Sequence, residues 1–426
     1  MMNKKRRVSL LIISFFCVKW LVASEADLNP QPENIIDSVP VIRSSFAVPD
    51  AFNSVLDSLS YSYFAKHARK GKCKKYGSEN IDYPDSIYAL KLESLPNVIP
   101  MNYNSKVKSF IDFYLDRRRD HVEKIIGLSK YYFPLFEDVL EENKLPLEFK
   151  VLPVIESALH TTVASKAGAR GLWQFMPSTG RMYGLTVNSL VDERCDPVKS
   201  TYAAVRYLKD LYRIYGDWQM AIAAYNCGPG TVNRAIRRSG GKRDFWSISS
   251  YLPAETRSYV PIFIAANYVM TYYNDHNLCP AEIQMPVYTD TVVVDQRLSF
   301  LKVSKILRIP EEELRILNPQ YRKDIIPGTS LKKYVLRLPT HYAAKFDELR
   351  DSIYTPSAID SDVLAEVEDV KPEKTIQQER VTHRVKRGDT LSSIANRYRV
   401  KVSDIKRWNG LRSNNIKIGQ RLTIRR

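Results

Sequence analysis

The sequence is poor in the residues that bind metals and nucleotides. It contains 5 cysteines and 6 histidines in 426 residues, with no CxxC or HExxH spacing, so we expect neither a zinc site nor a Cys/His nucleophile. Glycine is also scarce, at 16 residues, and the glycines of AAYNCGPGTV, residues 223–232, match neither GxGxxG nor a Walker lysine motif. Because no strand is predicted before that stretch either, a phosphate-binding loop is excluded.

Long apolar runs are absent after residue 22, so no later segment is predicted to cross a membrane. At the N-terminus, the basic residues 4–7 precede an apolar run from Val8 to Val22 that ends in small residues. This pattern predicts a secretory signal peptide over residues 1–24, and therefore export to the periplasm or cell envelope. An uncleaved N-terminus that associates with the membrane is the alternative.

Acidic residues are too few to balance the basic ones. Lys and Arg number 64 against 47 Asp and Glu, a net charge of +17, and loss of residues 1–24 would remove five basic residues and leave +12. Such a charge favours an anionic partner, and export makes a cell-wall polymer or a membrane surface a better candidate than nucleic acid. A basic surface that serves only solubility is the alternative.

Four cysteines lie outside the predicted signal peptide: Cys73, Cys195, Cys227 and Cys279. An even number of cysteines in an exported protein is typical of disulfide bonding. Four cysteines allow three complete pairings, and the sequence does not choose between them.

Apolar periodicity divides the chain, whose length exceeds that of one ordinary domain. Residues 25–100 mix Pro, Asn, Asp and Ser with short apolar runs and are predicted to form an irregular leader. Residues 101–285 have helical spacing almost throughout and predict a compact α-helical domain. Within it, Asp196-Pro197 predicts the start of a helix and Gly216 predicts its end.

Two β-α-α-β patterns follow the helical domain. The first covers residues 286–340 and the second residues 381–426, and an acidic linker is predicted at 341–380. We interpret the two patterns as related small modules. The correspondence, with a two-residue shift between its groups, pairs Leu298-Ser299 with Leu391-Ser392, and Leu314, Leu317 and Asn318 with Ile405, Trp408 and Asn409. The sequence therefore predicts a multidomain, mainly α protein with two small C-terminal modules.

Glu156 is the strongest candidate for a catalytic group. It follows the apolar residues of VLPVI, residues 151–155, so its carboxyl group is predicted to lie at the edge of a buried core. Burial disfavours the charged form and holds a glutamic acid protonated near neutral pH, as a general acid requires. A solvated or ion-paired glutamate at a helix end is the alternative.

The stretch KAGARGLWQFMPSTG, residues 166–180, combines glycines with aromatic and amide side chains. Glycine allows close approach of a ligand to the backbone, and aromatic and amide groups suit sugar rings. The alternative is a tight turn between helices with Trp173 and Phe175 in the core.

Two later stretches place polar groups beside helix ends. Tyr225 and Asn226 stand where a helix meets a glycine-proline turn, and Glu255 and Tyr259 stand at the start of another helix. Helix capping is the alternative for the second pair.

Together these motifs resemble the lytic transglycosylases of the goose-type-lysozyme fold, and among them the membrane-bound lytic murein transglycosylase D group. The resemblance covers about residues 105–340 and the C-terminal tail. The matches are Glu156-Ser157 to the catalytic-glutamate motif, Gly171-Leu172-Trp173-Gln174 to the GLxQ motif, Ala224-Tyr225-Asn226 to the AYN motif, and Tyr259 to the tyrosine after a Glu-Thr pair. Ser165 and Met176 fall where the family keeps substrate-contacting residues.

The resemblance implies a lysozyme-like (SLT) catalytic domain with Glu156 as its catalytic residue. It implies substrate binding by Ser165, Gln174, Met176, Tyr225 and Tyr259, and structural or subsite roles for Ser157, Gly171, Trp173, Asn226 and Glu255. Of these, Asn226 is expected to anchor the turn, and Trp173 either to line a subsite or to lie in the core.

The tail resembles LysM, a β-α-α-β module that binds glycans containing N-acetylglucosamine. The opening RVKRGDTLSSIA carries the match, and glycan binding is implied for Gly388, Asp389, Thr390 and Asn409. The unit at 286–340 lacks the Gly-Asp-Thr turn. It is expected to serve as a spacer or as a buttress for the catalytic domain.

The reaction implied by the resemblance is cleavage of peptidoglycan between N-acetylmuramic acid and N-acetylglucosamine. One glutamic acid protonates the glycosidic oxygen and then draws the proton from the muramic acid 6-hydroxyl, which closes a 1,6-anhydro ring. No metal or organic cofactor and no nucleic acid partner are expected, and the protein is expected to be monomeric. The alternatives are a hydrolytic muramidase, which needs a second carboxylate, and a wall-binding protein without catalysis.

Overall fold

The computed structural model describes residues 48–60, 62–63, 67–73, 79–286, 288–356, 380–398, 400, 402–411 and 413–425. The predicted signal peptide and most of the predicted linker lie outside these residues. Within them, no helix has both the length and the apolar character needed to cross a membrane.

Helices dominate the described residues from 48 to 276. The α-helices are α1 (Asp50–Leu59), α2 (Asp85–Glu93), α3 (Ser105–Asp112), α4 (Arg119–Glu142), α5 (Leu152–Ser157), α6 (Pro177–Met182), α7 (Pro197–Tyr215), α8 (Trp218–Cys227), α9 (Pro229–Arg238), α10 (Phe245–Ile248) and α11 (Ala254–Tyr272). A π-helical turn covers Phe113–Arg117, and 3₁₀ turns cover Leu147–Val151, Ser249–Tyr251 and Tyr273–His276. We call this part of the chain the helical domain.

Helix α7 begins and ends where local sequence signals predict. The Asp196 side chain accepts hydrogen bonds from the backbone N–H groups of Val198 and Lys199, and Gly216 ends the helix in the left-handed region with φ of +67°. The predicted boundaries of this helix are therefore confirmed.

Helix α11 lies at the centre of the helical domain. Its residues from Ser258 to Val269 are buried, and it packs against α3, α5 and α8. Phe263 in this helix lies 6.1 Å from Phe149, measured between ring centroids. A helix buried on all sides has little freedom to move, so the side chains that it presents to the active site are rigidly placed.

The prediction of an irregular leader was wrong for two stretches. Helix α1 buries Phe52, Leu56 and Leu59 in the helical core, and α2 buries Tyr88 and Leu92. Both helices follow a proline that makes no side-chain capping bond, so the usual start signal is missing from the sequence. The leader is also fastened covalently, because a disulfide joins Cys73 to Cys279 while Cys195 and Cys227 are free.

The first module contains two antiparallel strand pairs and extends beyond its predicted end. Its elements are β1 (Thr289–Val294), β2 (Arg297–Ser299), α12 (Phe300–Leu307), α13 (Glu311–Leu317), a 3₁₀ turn (Arg322–Asp324), β3 (Ile325–Pro327), β4 (Tyr334–Pro339), α14 (Thr340–Glu348) and α15 (Arg350–Tyr354). Strand β1 pairs with β4, and β2 pairs with β3. A linker starting at residue 341 was a wrong prediction, because Ala343, Phe346 and Ile353 are buried in this module's core.

The second module has the predicted β-α-α-β order: β5 (Arg380–Arg384), α16 (Leu391–Tyr398), α17 (Val402–Trp408) and β6 (Arg421–Arg425). Asn318 and Asn409 occupy equivalent places, since each donates to the carbonyl four residues earlier and bridges to the last strand of its module. Ser299 and Thr390 each accept the backbone N–H three residues ahead at the start of the first helix. The two modules therefore align without the two-residue shift that the sequence suggested.

Candidate active site

Glu156 stands at the end of the short helix α5. Its neighbours Leu152, Val154 and Ile155 are buried, and Ala158 and Leu159 end the helix with left-handed φ angles of +50° and +61°. The carboxyl group is itself only partly exposed. It therefore lies at the edge of the apolar core, as its flanking residues predicted.

The Tyr259 hydroxyl donates a hydrogen bond to Oε1 of Glu156. Burial raises the pKa of Glu156 to about 7, the hydrogen bond from Tyr259 lowers it, and the charge of Glu255 raises it. Burial also raises the pKa of Tyr259 well above its ordinary value, so this phenol stays protonated as a donor. Glu156 is thus able to exist in either protonation state near neutral pH, which suits a group that acts first as acid and then as base.

Gly171 fixes the conformation of the loop that contains Gly171-Leu172-Trp173-Gln174, which we call the GLWQ loop and which follows the Glu156 helix in the sequence. Its φ is +85°, and a Cβ atom added there would lie 1.9 Å from the carbonyl oxygen of Arg194. Its N–H donates to the carbonyl of Val163 at 3.1 Å. Any residue with a Cβ atom at this position would have to displace the backbone at Arg194.

The side chain of Gln174 stabilises the same loop through hydrogen bonds to its backbone. Its Nε2 donates to the carbonyl oxygens of Val163, at 3.1 Å, and Gly171, at 2.9 Å, while its own backbone has a positive φ of +46°. The amide nitrogen is therefore engaged within the loop, and its described bonds do not include one to Glu156.

Ser165 and Met176 lie on the exposed side of the loop. The Ser165 hydroxyl accepts a hydrogen bond from the N–H of Ala169 at 3.0 Å, and the side chain of Met176 is 40% exposed. Both side chains are accessible to a ligand.

Trp173 belongs to the core and not to a subsite, so the subsite alternative is wrong. It is fully buried, its indole N–H donates to Oγ1 of Thr201 at 2.9 Å, and its ring centroid lies 5.4 Å from that of Phe136. An aromatic residue so placed has no surface left for a sugar.

Several side chains tie the separate motifs into one structure. Ser157 donates to the carbonyl of Leu172 at 2.9 Å, and Tyr225 donates to the carbonyl of Trp173 at 2.7 Å. The pKa of Tyr225 is raised by burial and then by the charge of Glu156, so the two groups are electrostatic neighbours. These bonds bring the glutamate helix, the GLWQ loop and α8 together around one carboxyl group.

Asn226 connects α8 to α11. Its Oδ1 accepts a hydrogen bond from Thr256 at 2.7 Å, in keeping with the expected anchoring role. Glu255, one residue earlier on α11, is exposed and makes no capping bond. Its described influence on the site is the charge that raises the pKa of Glu156.

Two acidic residues of the helical domain are committed to ion pairs. Asp192, 1% exposed, binds Arg194 through both carboxylate oxygens at 2.8 Å and also Arg322 at 2.5 Å. Glu193 pairs with Lys199 at 2.6 Å. Neither carboxylate is free to serve as the second catalytic group that a hydrolase needs.

The ion-pair network around Asp192 was not predicted from the sequence. Besides Asp192, Arg194 binds the carbonyl oxygens of Gly168, at 2.8 Å, and Phe175, at 2.9 Å, which bracket the GLWQ loop. Arg322 belongs to the first module, and its N–H donates to the carbonyl of Leu190 at 2.8 Å. A cluster of charges in DERCDP, residues 192–197, was the available signal.

In the second module, two of the four predicted glycan-binding residues have internal roles. The Asp389 carboxylate bonds to the His383 ring and to the N–H of Lys386, each at 2.8 Å. Asn409 bridges α17 to β6 through the backbone of Thr423. The amide of Asn409 is fully engaged by these bonds, which makes it a support of the module. Both bonds of Asp389 use the same carboxylate oxygen, so its glycan contact stays a prediction, and Gly388 is exposed at the turn with φ of +90°.

Family models match three parts of the chain. Residues 135–247 match the "Transglycosylase SLT domain", residues 288–355 match the "Lytic transglycosylase MltD, LysM-like domain", and residues 383–425 match the "LysM domain". These matches agree with the helical domain and the two modules, and they confirm the predicted fold class.

The chain is also similar to proteins with known names. It is 32% identical over 332 residues to membrane-bound lytic murein transglycosylase D of Escherichia coli (strain K12), covering 75% of this chain and 69% of that protein. It is 30% identical over 161 residues to the soluble lytic murein transglycosylase of the same organism, covering 36% and 25%. Among solved structures, the 70 kDa soluble lytic transglycosylase of Escherichia coli aligns at 23% identity and a TM-score of 0.31, over 44% of this chain and 33% of that chain.

A catalytic SLT domain joined to LysM-type modules defines the class of lytic murein transglycosylases. Within that class, the chain belongs to the family of membrane-bound lytic murein transglycosylase D. The family resemblance seen in the sequence is thereby confirmed.

Proposed function

We propose that the protein cleaves peptidoglycan strands between N-acetylmuramic acid and N-acetylglucosamine and leaves 1,6-anhydromuramic acid ends. The observation that carries the proposal is the Glu156 carboxyl group, whose pKa is raised by burial to about 7 beside the neutral phenol of Tyr259. The protonated acid gives its proton to the glycosidic oxygen as the bond to the anomeric carbon breaks. The resulting carboxylate then takes the proton of the muramic acid 6-hydroxyl as that oxygen attacks the same carbon.

The neighbouring residues have supporting roles in this proposal. Tyr259 stabilises the carboxylate that forms after the first proton transfer, because a hydrogen bond to the charged form lowers its free energy. Tyr225 and Gln174 fix the shape of the loop that receives the sugar. Ser165 and Met176, which are exposed on that loop, contact the strand.

The second module adds affinity for the polymer. We place its glycan contacts at the turn Gly388-Asp389-Thr390, which directly precedes α16, since the amide of Asn409 is occupied internally. An enzyme with this substrate works in the cell envelope, and we assign the protein to the periplasm. It is proposed to act as a monomer.

The first module serves as a buttress in this proposal. Arg322 of that module and Arg194 share the buried carboxylate of Asp192, and Arg194 holds the carbonyl groups on both sides of the GLWQ loop. Replacing Arg322 by methionine should lower kcat/KM several-fold. Lys305→Met, a change at an exposed lysine of the same module, should leave kcat/KM unchanged. Equal activity of both variants would refute the buttress.

Mass spectrometry of fragments released from purified peptidoglycan tests the proposed reaction. The wild-type protein should release anhydromuramoyl ends, and Glu156→Gln should release none. Reducing muramic acid ends that depend on Glu156 would show a hydrolase instead. Binding without any fragments from the wild-type protein would show a wall-binding protein.

A further inference from the structure

The second module carries the excess positive charge of the protein. Residues 380–426 contain 14 Lys and Arg against 2 Asp, a net charge of +12, whereas residues 25–379 contain 45 basic and 45 acidic residues and have no net charge. The first module, which shares the arrangement of strands and helices, has 12 basic against 9 acidic residues over residues 288–355. The charge is therefore specific to the second module and is not required by its fold.

Two arginines stand opposite each other in the sheet of the second module. Arg384 in β5 is paired with Arg421 in β6, and both side chains are exposed. At the equivalent places of the first module, Val293 is paired with Val335. Like charges directly opposite each other destabilise a sheet, so the arginine pair opposes folding where the valine pair does not. A bound anion would remove this repulsion.

Backbone hydrogen bonds bring further exposed side chains to the arginine pair. The N–H of Gly419 donates to the carbonyl of Val385 at 2.8 Å, and the N–H of Val385 donates to the carbonyl of Gln420 at 2.9 Å. These bonds place the turn at residues 417–420 beside the end of β5. We call the exposed side chains of this region the basic end: Arg384, Lys386, Lys417, Ile418 and Arg421.

The basic end has little counter-charge of its own. Residues 380–426 have two carboxylates, and the structure engages both elsewhere: Asp389 binds the His383 ring at 2.8 Å, and Asp404 binds Arg407 at 2.9 Å. Among the residues that the structure describes, no carboxylate forms an ion pair with the four cations of the basic end. Their summed positive potential therefore extends into the solvent and attracts an anionic partner.

An exposed apolar side chain lies among these cations. Ile418 is 71% exposed at the turn, directly after Lys417. N-acetylglucosamine is uncharged, so neither the cations nor an isoleucine in water is needed to bind it. An apolar group surrounded by basic groups is typical of protein surfaces that lie on a membrane, where the cations meet phosphates and the apolar group enters the boundary with the acyl chains.

We propose that the basic end docks the second module on a membrane surface that contains anionic phospholipids. The headgroup phosphates supply the counter-charge for Arg384 and Arg421, and Ile418 inserts between the headgroups. This inference does not depend on the proposed reaction, because the basic end includes none of the residues that surround Glu156.

Sedimentation with lipid vesicles tests the proposal on the mature chain, which begins after residue 24 by the prediction above. The vesicles contain phosphatidylglycerol and phosphatidylcholine in equal parts, or phosphatidylcholine alone. The variant is Arg384→Thr with Arg421→Thr, because Thr382 and Thr423 already form the neighbouring pair on the same face of the sheet. The control, Arg297→Thr with Lys333→Thr, removes the same charge from exposed positions of the first module.

The wild-type protein should bind the anionic vesicles and not those of phosphatidylcholine alone. The variant should bind the anionic vesicles about thirtyfold more weakly at low salt, and added salt should reduce the difference. The control should bind like the wild-type protein. Thermal unfolding checks the fold, and the variant should be at least as stable as the wild-type protein because its like-charge pair is gone.

The apolar contact is tested separately by Ile418→Ser. This change keeps every charge and should weaken binding to the anionic vesicles even at high salt, where the attraction between charges is screened. An unchanged affinity would exclude insertion of the isoleucine.

Three results would overturn the inference. The first is equal affinity of the arginine variant and the wild-type protein for the anionic vesicles. The second is equal binding of the wild-type protein to both kinds of vesicle. The third is a variant that keeps its affinity for vesicles and loses affinity for purified sacculi, which would make the basic end a contact with the cell wall.

Discussion

Replacing Glu156 by glutamine is expected to stabilise the protein at alkaline pH and to leave its stability almost unchanged at acidic pH. Glutamine keeps the shape of the side chain and still accepts the hydrogen bond from Tyr259, but it carries no charge. In the native protein, burial raises the pKa of Glu156 from its ordinary value of 4.5 to about 7, so the folded state binds this proton more tightly than the unfolded state.

The sign and size of the effect follow from proton linkage. Between the two pKa values the folded state holds more protons, so its stability falls as the pH rises through that window. The full difference between an ordinary and a buried carboxyl group of this kind is about 3 kcal/mol, lost progressively between about pH 4 and pH 8. The glutamine variant has no such loss.

Urea unfolding at several pH values measures this difference. The stability of Glu156→Gln minus that of the wild-type protein should rise from near zero at about pH 4 to about 3 kcal/mol at pH 8. Other ionisable groups cancel in the subtraction, and Glu141→Gln, a change at an exposed glutamate, should give a flat line. A flat line for Glu156→Gln as well would refute a raised pKa at this site.

Three further predictions concern groups that hold the site together. Tyr259→Phe removes a hydrogen bond that lowers the pKa of Glu156, so the alkaline limb of the pH–kcat profile should move to higher pH and kcat should fall roughly a hundredfold; an unmoved limb would contradict this. Gly171→Ala should cost at least about 2 kcal/mol in thermal unfolding, because its Cβ meets a backbone carbonyl at a positive φ. Joint replacement of Cys73 and Cys279 by serine should cost about 2–5 kcal/mol by the same measurement, and an unchanged midpoint would exclude the disulfide.

Signals that are local in sequence predicted the structure well. The capping aspartate at position 196 and the glycine at 216 mark the ends of α7 because the bonds that they make span only a few residues. The burial of Glu156 was predictable for the same reason, since the apolar residues that cover it are its immediate neighbours.

Contacts between distant residues were not predictable in this way. The hydrogen bond between Tyr259 and Glu156 spans 103 residues, and the ion pair between Arg322 and Asp192 spans 130. No periodicity or cap encodes such partners. The resemblance of the motifs to a known family predicted that Tyr259 belongs to the site. No motif in the sequence predicted the role of Arg322.

Trp173 and Asn409 illustrate a second limit. Both stand inside motifs, and a motif does not say whether a residue contacts the ligand or holds the fold. Only the partners decide, and these are Thr201 for the tryptophan and the backbone of Thr423 for the asparagine.

Digestion of peptidoglycan in water labelled with heavy oxygen tests the central claim most directly. If Glu156 passes the proton of the muramic acid 6-hydroxyl and no water attacks, every new muramic acid end should be an anhydro ring without the label. The same ends should disappear with Glu156→Gln. Labelled reducing ends, formed at a rate that depends on Glu156, would contradict the account and show that water is the nucleophile.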